Sequence, residues 1–182
     1  MLDGLSALGV ILILVFVISI TWTRMRGAPW LPTPMKTVRA MLSIADVGPD
    51  DVVYDLGCGD GRLIVTAARE YGARAVGIEI DPLRFLWCQM LVTVLGLRSR
   101  IHIIYGDFFA QDLSSADVVT CYLLQDTNNR LAAKLKRELH PGTRVVSNTF
   151  TFPGLVQVRA DGGVRLYLGN FGDNRHVDGS SS

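Results

Sequence analysis

An acidic residue and a glycine-rich turn carry the first chemical signal of this 182-residue chain. Residues 54–62 read YDLGCGDGR, in which Asp55 precedes Gly57 by two positions and Gly59 follows two positions later. Glycines at such a turn let the backbone approach a ligand at a helix N-terminus. The turn is neither a dinucleotide fingerprint, because Arg62 stands at the third glycine position, nor a GK[ST] phosphate loop. The carboxylate favours a cationic ligand over a pyrophosphate.

Two further acids follow at informative positions. Glu79 lies 20 residues after Gly59, within GIEIDP, and Asp107 ends the segment YGD. A carboxylate after a second strand can accept hydrogen bonds from both ribose hydroxyls. The three histidines and three cysteines are scattered along the chain, so we expect no metal site and no disulfide framework.

Alternating strand and helix patterns position these acids. The pattern predicts an additional helix near 35–48, and a hairpin around Asp161-Gly162 closes the domain. The predicted strands are 52–56, 73–80, 101–107, 116–124, 143–150, 155–160 and 163–169, and the predicted helices between them are 61–72, 82–96 and 126–140. This order predicts an α/β fold, a Rossmann-like and mostly parallel seven-stranded sheet with helices on both faces. We expect the domain to span 35–173 and a flexible tail to span 174–182.

An uncharged apolar segment precedes the domain. Residues 4–23 contain no charged side chain, and 20 helical residues span about 30 Å, the thickness of a bilayer core. Arg24 and Arg26 follow the segment, so the positive-inside rule places the N-terminus outside and the domain in the cytoplasm. We therefore expect residues 1–23 to be a single-pass membrane anchor and 24–34 a proline-rich connector. A cleaved signal peptide and a buried core helix are the alternatives.

Composition narrows the class of partner. The 18 basic and 17 acidic residues leave a net charge of +1, without the basic excess of a nucleic-acid binder. We therefore expect no nucleic-acid partner. An odd number of unpaired cysteines also indicates a reducing compartment.

The segments DLGCGDG, GIEIDP and YGD resemble the motif series of class I S-adenosylmethionine-dependent methyltransferases over roughly residues 50–150. The resemblance implies S-adenosylmethionine as cofactor. It implies that Asp55 and the glycines hold the methionine part, that Glu79 binds the ribose and that Asp107 faces the adenine amino group. Cys58 is interpreted as a small filler rather than a nucleophile. The full set of predicted cofactor-binding residues is Asp55, Gly57, Cys58, Gly59, Glu79, Ile80, Asp107 and Phe108.

A narrower resemblance covers both ends of the domain. APWLPTPMKTVRAML, CYLLQDTN and HPGTRVVSNTF are similar to a subfamily of membrane-anchored methyltransferases. Its eukaryotic members methylate lysines of the c-ring protein of ATP synthase and of the adenine nucleotide translocase. Their P-[YF]-V-P-type motif reads Pro29-Trp30-Leu31-Pro32 here. The resemblance implies a lysine of a membrane-associated protein as acceptor, with a lipid methyltransferase and a non-catalytic scaffold as alternatives. No [DN]-PP-[YF] motif follows the fourth strand, which argues against methylation of a nucleic-acid base or a glutamine amide.

Three residues are predicted to serve the methyl acceptor: Trp30, Tyr122 and Asn148. Aromatic faces of Trp30 and Tyr122 can hold an ammonium group. Tyr122 and Asn148 end the fourth and fifth strands, where open α/β sheets bind ligands, and Thr149 adds a polar group beside them. No general base is identifiable in the sequence, and the transfer depends more on positioning and desolvation than on one.

Overall fold

The computed structural model describes Gly9, Val10, Leu14 and residues 32–169. Apart from those first three residues, the expected anchor 1–23 lies outside the described residues, as do connector residues 24–31 and the tail. Among the helices that are described, none is both long and apolar enough to cross a membrane.

Strands and helices alternate through residues 32–169 as the sequence predicted. The elements are α1 (Met35–Ile44), β1 (Val52–Leu56), α2 (Arg62–Glu70), β2 (Arg74–Glu79), α3 (Pro82–Val94), β3 (Ile101–Tyr105), a 3-10 turn (Phe108–Ala110), β4 (Val118–Cys121), α4 (Gln125–Glu138), β5 (Arg144–Asn148), β6 (Val156–Asp161) and β7 (Val164–Leu168). Several elements are shorter than predicted. β4 ends at Cys121 rather than at residue 124, because Leu124 already caps the N-terminus of α4.

The strands form one seven-stranded sheet in the order β3-β2-β1-β4-β5-β7-β6. β1 to β5 pair in parallel, whereas β7 runs antiparallel to both β5 and β6. The predicted Rossmann-like, mostly parallel sheet is therefore confirmed, together with its closing hairpin. Chain order reverses between β1 and β4, which is where such sheets bind ligands at their carboxyl edge.

The two faces of the sheet bury two separate cores. Side chains alternate along β1, so Val53 belongs to one core while Tyr54 and Leu56 belong to the other. The first core is completed by apolar residues of α1, α2 and α3, and the second by apolar residues of α4. Helices on both faces hold the strands rigidly, and the strand ends that carry the functional side chains are fixed with them.

Candidate active site

The glycine turn bends back over the end of the neighbouring strand. The N–H groups of Gly57 and Cys58 donate to the carbonyl oxygen of Ile78 in β2, at 2.9 and 3.0 Å. Gly57 and Gly59 have φ angles of +80° and +58°, in the left-handed region that glycine adopts without a Cβ penalty. The turn therefore presents bare backbone at the carboxyl edge of the sheet, next to the start of α2.

Glu79 ties this turn to β2. The side chain is 4% exposed; Oε2 accepts from the Gly59 N–H and Oε1 from the Asp81 N–H, both at 2.8 Å. Burial raises the pKa of Glu79, while the two N–H bonds oppose that rise. Each carboxylate oxygen has a second lone pair, so Glu79 retains acceptor capacity for ribose hydroxyls.

Asp55 lies within β1, one residue before the strand ends. It is 7% exposed, and its Oδ1 accepts from the Thr120 hydroxyl of β4 at 2.8 Å. Burial raises the pKa of Asp55 to about 7, the Thr120 bond lowers it, and the negative charge of Glu79 raises it further. Sequence reasoning missed Thr120, although it is the one polar side chain within the strand segment Val118–Cys121.

These two carboxylates fit S-adenosylmethionine. Within the part of the chain that the structure describes, neither Asp55 nor Glu79 takes part in a salt bridge. Two buried acids that repel one another are stabilised when a ligand brings positive charge. The ammonium and sulfonium of the cofactor supply that charge, and its ribose supplies donors for Glu79. The negative charge and the hydrogen-bond acceptors of these two side chains therefore match S-adenosylmethionine, the cofactor that the sequence implied.

The predicted adenine side of the pocket is built at the end of β3. The Gly106 N–H donates to the Glu79 carbonyl oxygen at 2.9 Å, which brings the two strand ends together. Asp107 is exposed, and its Oδ1 caps the 3-10 turn by accepting from the Phe109 N–H at 2.9 Å. Phe108, which follows Asp107, and Ile80, which follows Glu79, are half-buried. A contact of Asp107 with adenine remains a prediction.

Cys58 is buried beneath the turn. Hydrogen bonding with Cys88, together with burial, raises the pKa of the Cys58 thiol, so the thiolate needed for nucleophilic attack is disfavoured. An added Cβ at Gly77 would lie 2.8 Å from the Cys58 Sγ and 2.9 Å from the Ile64 Cδ1. Cys58 therefore fills space against Gly77 and supports the turn through its backbone N–H.

The predicted acceptor residues of β4 and β5 meet at one edge. Cys121 of β4 pairs with Ser147 of β5, so the next residue of each segment, Tyr122 and Asn148, lies at the same end of the sheet. Tyr122 is half-buried and Asn148 is 7% exposed. Thr149 follows with a φ of +70°, a conformation that costs a non-glycine residue energy and is common at functional sites. Trp30 lies outside the described residues, so its acceptor role stays a prediction.

A polar clasp beside this edge was not foreseen. Gln125 Oε1 accepts from the Thr151 N–H at 3.1 Å, and Gln125 Nε2 donates to the Thr151 carbonyl oxygen at 2.9 Å. Asn128 is buried and donates to the Ser147 hydroxyl at 3.2 Å. The clasp holds the start of α4 against the segment after β5. Its signal in the sequence is the polar run QDTNN directly after an apolar strand.

We find no candidate metal site in residues 32–169 or in the three residues described before them. No group of three or more His, Cys, Asp or Glu side chains is placed there to hold an ion. All three cysteines are free and buried.

Three known proteins are similar to this chain, two in sequence and one also in its solved structure. The chain is 50% identical over 127 residues to a protein-lysine N-methyltransferase of Saccharolobus islandicus, covering 69% of this chain and 79% of the relative. It is 32% identical over 126 residues to the adenine nucleotide translocase lysine N-methyltransferase of Mus musculus, covering 69% of this chain and 54% of that protein. The crystal structure of an RNA methyltransferase from Salinibacter ruber with S-adenosyl-L-homocysteine superposes with a TM-score of 0.72 at 43% identity, covering 76% of this chain and 92% of that one.

The family assignment rests on the segment that builds the site. The model of the ANTKMT methyltransferase domain matches residues 55–159, which begin at the buried acid of β1 and continue into β6. The match includes the glycine turn, Glu79 and the ends of β4 and β5. The chain therefore belongs to the ANTKMT methyltransferase domain family and is an S-adenosylmethionine-dependent methyltransferase.

Proposed function

We propose that this protein is a membrane-anchored protein-lysine N-methyltransferase whose acceptor is a lysine of a membrane-associated protein. One observation carries the proposal. The buried carboxylates of β1 and β2 fit the cationic cofactor, while Tyr122 and Asn148 stand at the adjacent ends of β4 and β5. The name of the Saccharolobus relative, which is half identical over the matched region, supports lysine as the acceptor.

Methyl transfer from S-adenosylmethionine to an amine does not require a strong acid or base in the protein. When bound, S-adenosylmethionine supplies an electrophilic methyl group that an uncharged amine accepts by in-line displacement. A lysine that enters the site loses water, which lowers its pKa and favours the uncharged form. We assign the aromatic faces of Tyr122 and Trp30 to holding the incoming side chain, and the Asn148 amide to orienting its nitrogen.

The anchor belongs to the same proposal. The uncharged segment 4–23 has the length of a bilayer-spanning helix, and Arg24 and Arg26 follow it. By the positive-inside rule we place the N-terminus outside and the catalytic domain in the cytoplasm. Confinement to one surface raises the effective concentration of a membrane-embedded acceptor without any new contact at the reacting atoms.

RNA is a second candidate acceptor, because the Salinibacter neighbour is described as an RNA methyltransferase. Two features favour protein. The chain has a net charge of +1, whereas RNA binding draws on an excess of positive charge. The sequence after β4 reads Tyr122-Leu123-Leu124, without the [DN]-PP-[YF] motif that accompanies base methylation.

The experiment offers the enzyme protein, lipid and RNA as acceptors in one reaction. Full-length protein is incubated with methyl-labelled S-adenosylmethionine, native membranes and total RNA, and protein, lipid and RNA are then separated. We expect label in protein, on lysine side chains identified by mass spectrometry. The Glu79→Ala variant serves as the control for background label. Label confined to RNA or to lipid would overturn the proposal.

A further inference from the structure

The outer side of α3 is apolar where a helix on a protein surface is normally polar. Leu83, Leu86, Trp87, Met90 and Val94 recur at helical spacing and are between 43% and 78% exposed. Only Cys88 and Val92 of this helix are buried in the core. We call the five exposed residues the α3 face. Contiguous apolar surface of this kind marks an interaction site.

A groove extends the α3 face toward the N-terminal side of the domain. Its volume is about 710 Å³, and it lies between α3, α2 and the start of α1. Met35, Val65, Leu91 and Leu95 give it apolar walls. Arg62 also lines the groove, and its charge is matched there by an ion pair with Asp60. The groove is therefore a mostly apolar continuation of the helix surface.

The chain segment that carries the α3 face has basic charges only, whereas the groove beside it is lined by Asp60 as well as Arg62 and Arg84. From Pro82 to Tyr105 the chain contains Arg84, Arg98 and Arg100 and no Asp or Glu. Arg and Lys side chains close to an anionic lipid surface are attracted to it. Helices that lie in the membrane interface bury an apolar face that often contains tryptophan, with Lys or Arg beside it.

The chain enters the domain at this groove. An Arg62 N–H donates to the Thr33 carbonyl oxygen at 2.6 Å, and Met35 forms part of the groove wall. The uncharged segment ends at residue 23, so 10 further residues reach Thr33. They span at most about 35 Å when fully extended. A bilayer that holds the segment 4–23 is therefore within reach of the α3 face.

We propose that the α3 face and its groove lie against the surface of an anionic lipid bilayer. The catalytic domain then has a membrane contact of its own, in addition to the anchor of the proposed function, on which this inference rests for proximity. α3 begins at Pro82, three residues after the ribose-binding Glu79. Docking through α3 therefore holds the cofactor edge of the sheet near the bilayer surface, where a membrane-protein lysine is presented.

The fluorescence of Trp87 tests this contact directly. Trp22 and Trp30 are the other two tryptophans, so full-length protein with Trp22→Phe and Trp30→Phe reports on Trp87 alone. The protein is reconstituted into phosphatidylcholine vesicles with or without phosphatidylglycerol, and quenching by lipid-borne bromine is compared with quenching by aqueous acrylamide. We expect lipid bromine to quench Trp87 several-fold more strongly when phosphatidylglycerol is present, and added salt to weaken the effect.

A matched pair of variants separates the α3 face from apolar surface in general. Leu86→Glu with Met90→Glu changes the α3 face, beside the β3 edge of the sheet. Val156→Glu with Val158→Glu changes two exposed residues of β6 at the opposite edge. We expect the first pair to abolish lipid quenching and the second to leave it unchanged, with both variants retaining cofactor binding.

Three results would overturn the proposal. Trp87 open to acrylamide in vesicles means that the α3 face stays in water. Protection from both quenchers means that protein covers it, whether the N-terminal segment, a second copy or a polypeptide substrate. Equal quenching with and without phosphatidylglycerol contradicts the role of the arginines. Methyl transfer is not measured in this experiment. If the full-length chain floats with vesicles but Trp87 is not quenched by lipid bromine, the docking contact is rejected and the proposed function is unaffected.

Discussion

At the scale of single residues, the site depends on two carboxylates that are buried for different purposes. Each carboxylate oxygen of Glu79 accepts one hydrogen bond from a backbone N–H, and these bonds fix the orientation of the side chain. Asp55 accepts one hydrogen bond from the Thr120 hydroxyl, and the negative charges of Glu79 and Asp60 act on it. Glu79 therefore holds the glycine turn against β2 and can still accept hydrogen bonds from a ligand. Asp55 provides negative charge that favours a cationic ligand.

Replacing Glu79 tests its ribose role. Glu79→Ala should weaken S-adenosylmethionine binding by about 1.5–3 kcal/mol, the range for hydrogen bonds to a charged group. Titration calorimetry measures the loss, and thermal unfolding monitors the fold, because the N–H groups of Gly59 and Asp81 lose their partner. Glu70→Gln, which changes an exposed acid paired with Arg39, is the control. Unchanged affinity in a folded Glu79→Ala protein would contradict the assignment.

The raised pKa of Asp55 predicts a pH dependence of cofactor binding. The folded protein keeps this proton to about pH 7, whereas the unfolded chain loses it near the ordinary value of 3.8, so this group's contribution to stability falls as pH rises between those values. A cationic ligand favours the ionised form. Affinity for S-adenosylmethionine should therefore rise from about pH 6 to about pH 7 and level off above.

Calorimetry across that pH range checks the prediction, with Asp55→Asn as the comparison. The amide does not titrate, so the variant should bind more weakly and with a flatter pH profile than the native protein. A native profile that is equally flat would mean that Asp55 does not lose its proton on binding.

At the scale of elements, the glycine turn depends on what lies beneath it. Gly77 in β2 faces Cys58 and Ile64, and a Cβ there would come within 2.8 Å of the Cys58 Sγ. Gly77→Ala should therefore lower the free energy of unfolding by about 1–3 kcal/mol, the usual cost of overpacking, and weaken cofactor binding with it. Chemical denaturation and calorimetry measure both. Gly48→Ala is the control, because an added Cβ there has no neighbour within 4 Å.

The clasp between α4 and the segment after β5 lies beside the edge that carries the predicted acceptor residues. Gln125→Ala removes both hydrogen bonds to the Thr151 backbone, so Tyr122 and Asn148 should lose their fixed relation. We expect turnover to fall several-fold while cofactor affinity stays the same. Kinetics with an acceptor peptide measures turnover, and calorimetry measures cofactor affinity. Gln157→Ala, on the exposed strand β6, is the control. An equal loss of cofactor affinity would place Gln125 in the general support of the fold.

At the scale of the whole molecule, we expect the proposed anchor, residues 1–23, to decide which substrate is met and to leave the chemistry unchanged. Deleting residues 1–23 keeps every residue that is predicted to bind the cofactor. We expect cofactor binding to survive, methylation of a membrane-embedded acceptor to fall sharply, and methylation of a soluble peptide with the same lysine to be spared. Assays of full-length and truncated enzyme on both substrates test this. Equal loss on both substrates would make the segment part of the fold, and equal activity would make tethering irrelevant.

The sequence by itself determined the fold class, the cofactor and the residues that carry the cofactor motifs. These are local properties: strand and helix periodicities are read within single segments, and the spacing of Asp55, Gly59 and Glu79 follows from one βαβ unit. The family assignment and the parallel sheet agree with those expectations. The placement of Tyr122 and Asn148 at one edge of the sheet was also predictable, because parallel strands end at a common edge.

Only the tertiary structure decided how the acids are held and what surrounds them. Thr120 is 65 residues from Asp55, and Gln125 is 26 residues from Thr151, so their bonds depend on strand pairing and helix docking that no local pattern encodes. The burial that raises the pKa of Asp55 has the same origin. The apolar residues of α3 fit a buried helix in sequence, and packing alone leaves one of its faces exposed, because the sheet beneath α3 can cover only the opposite side.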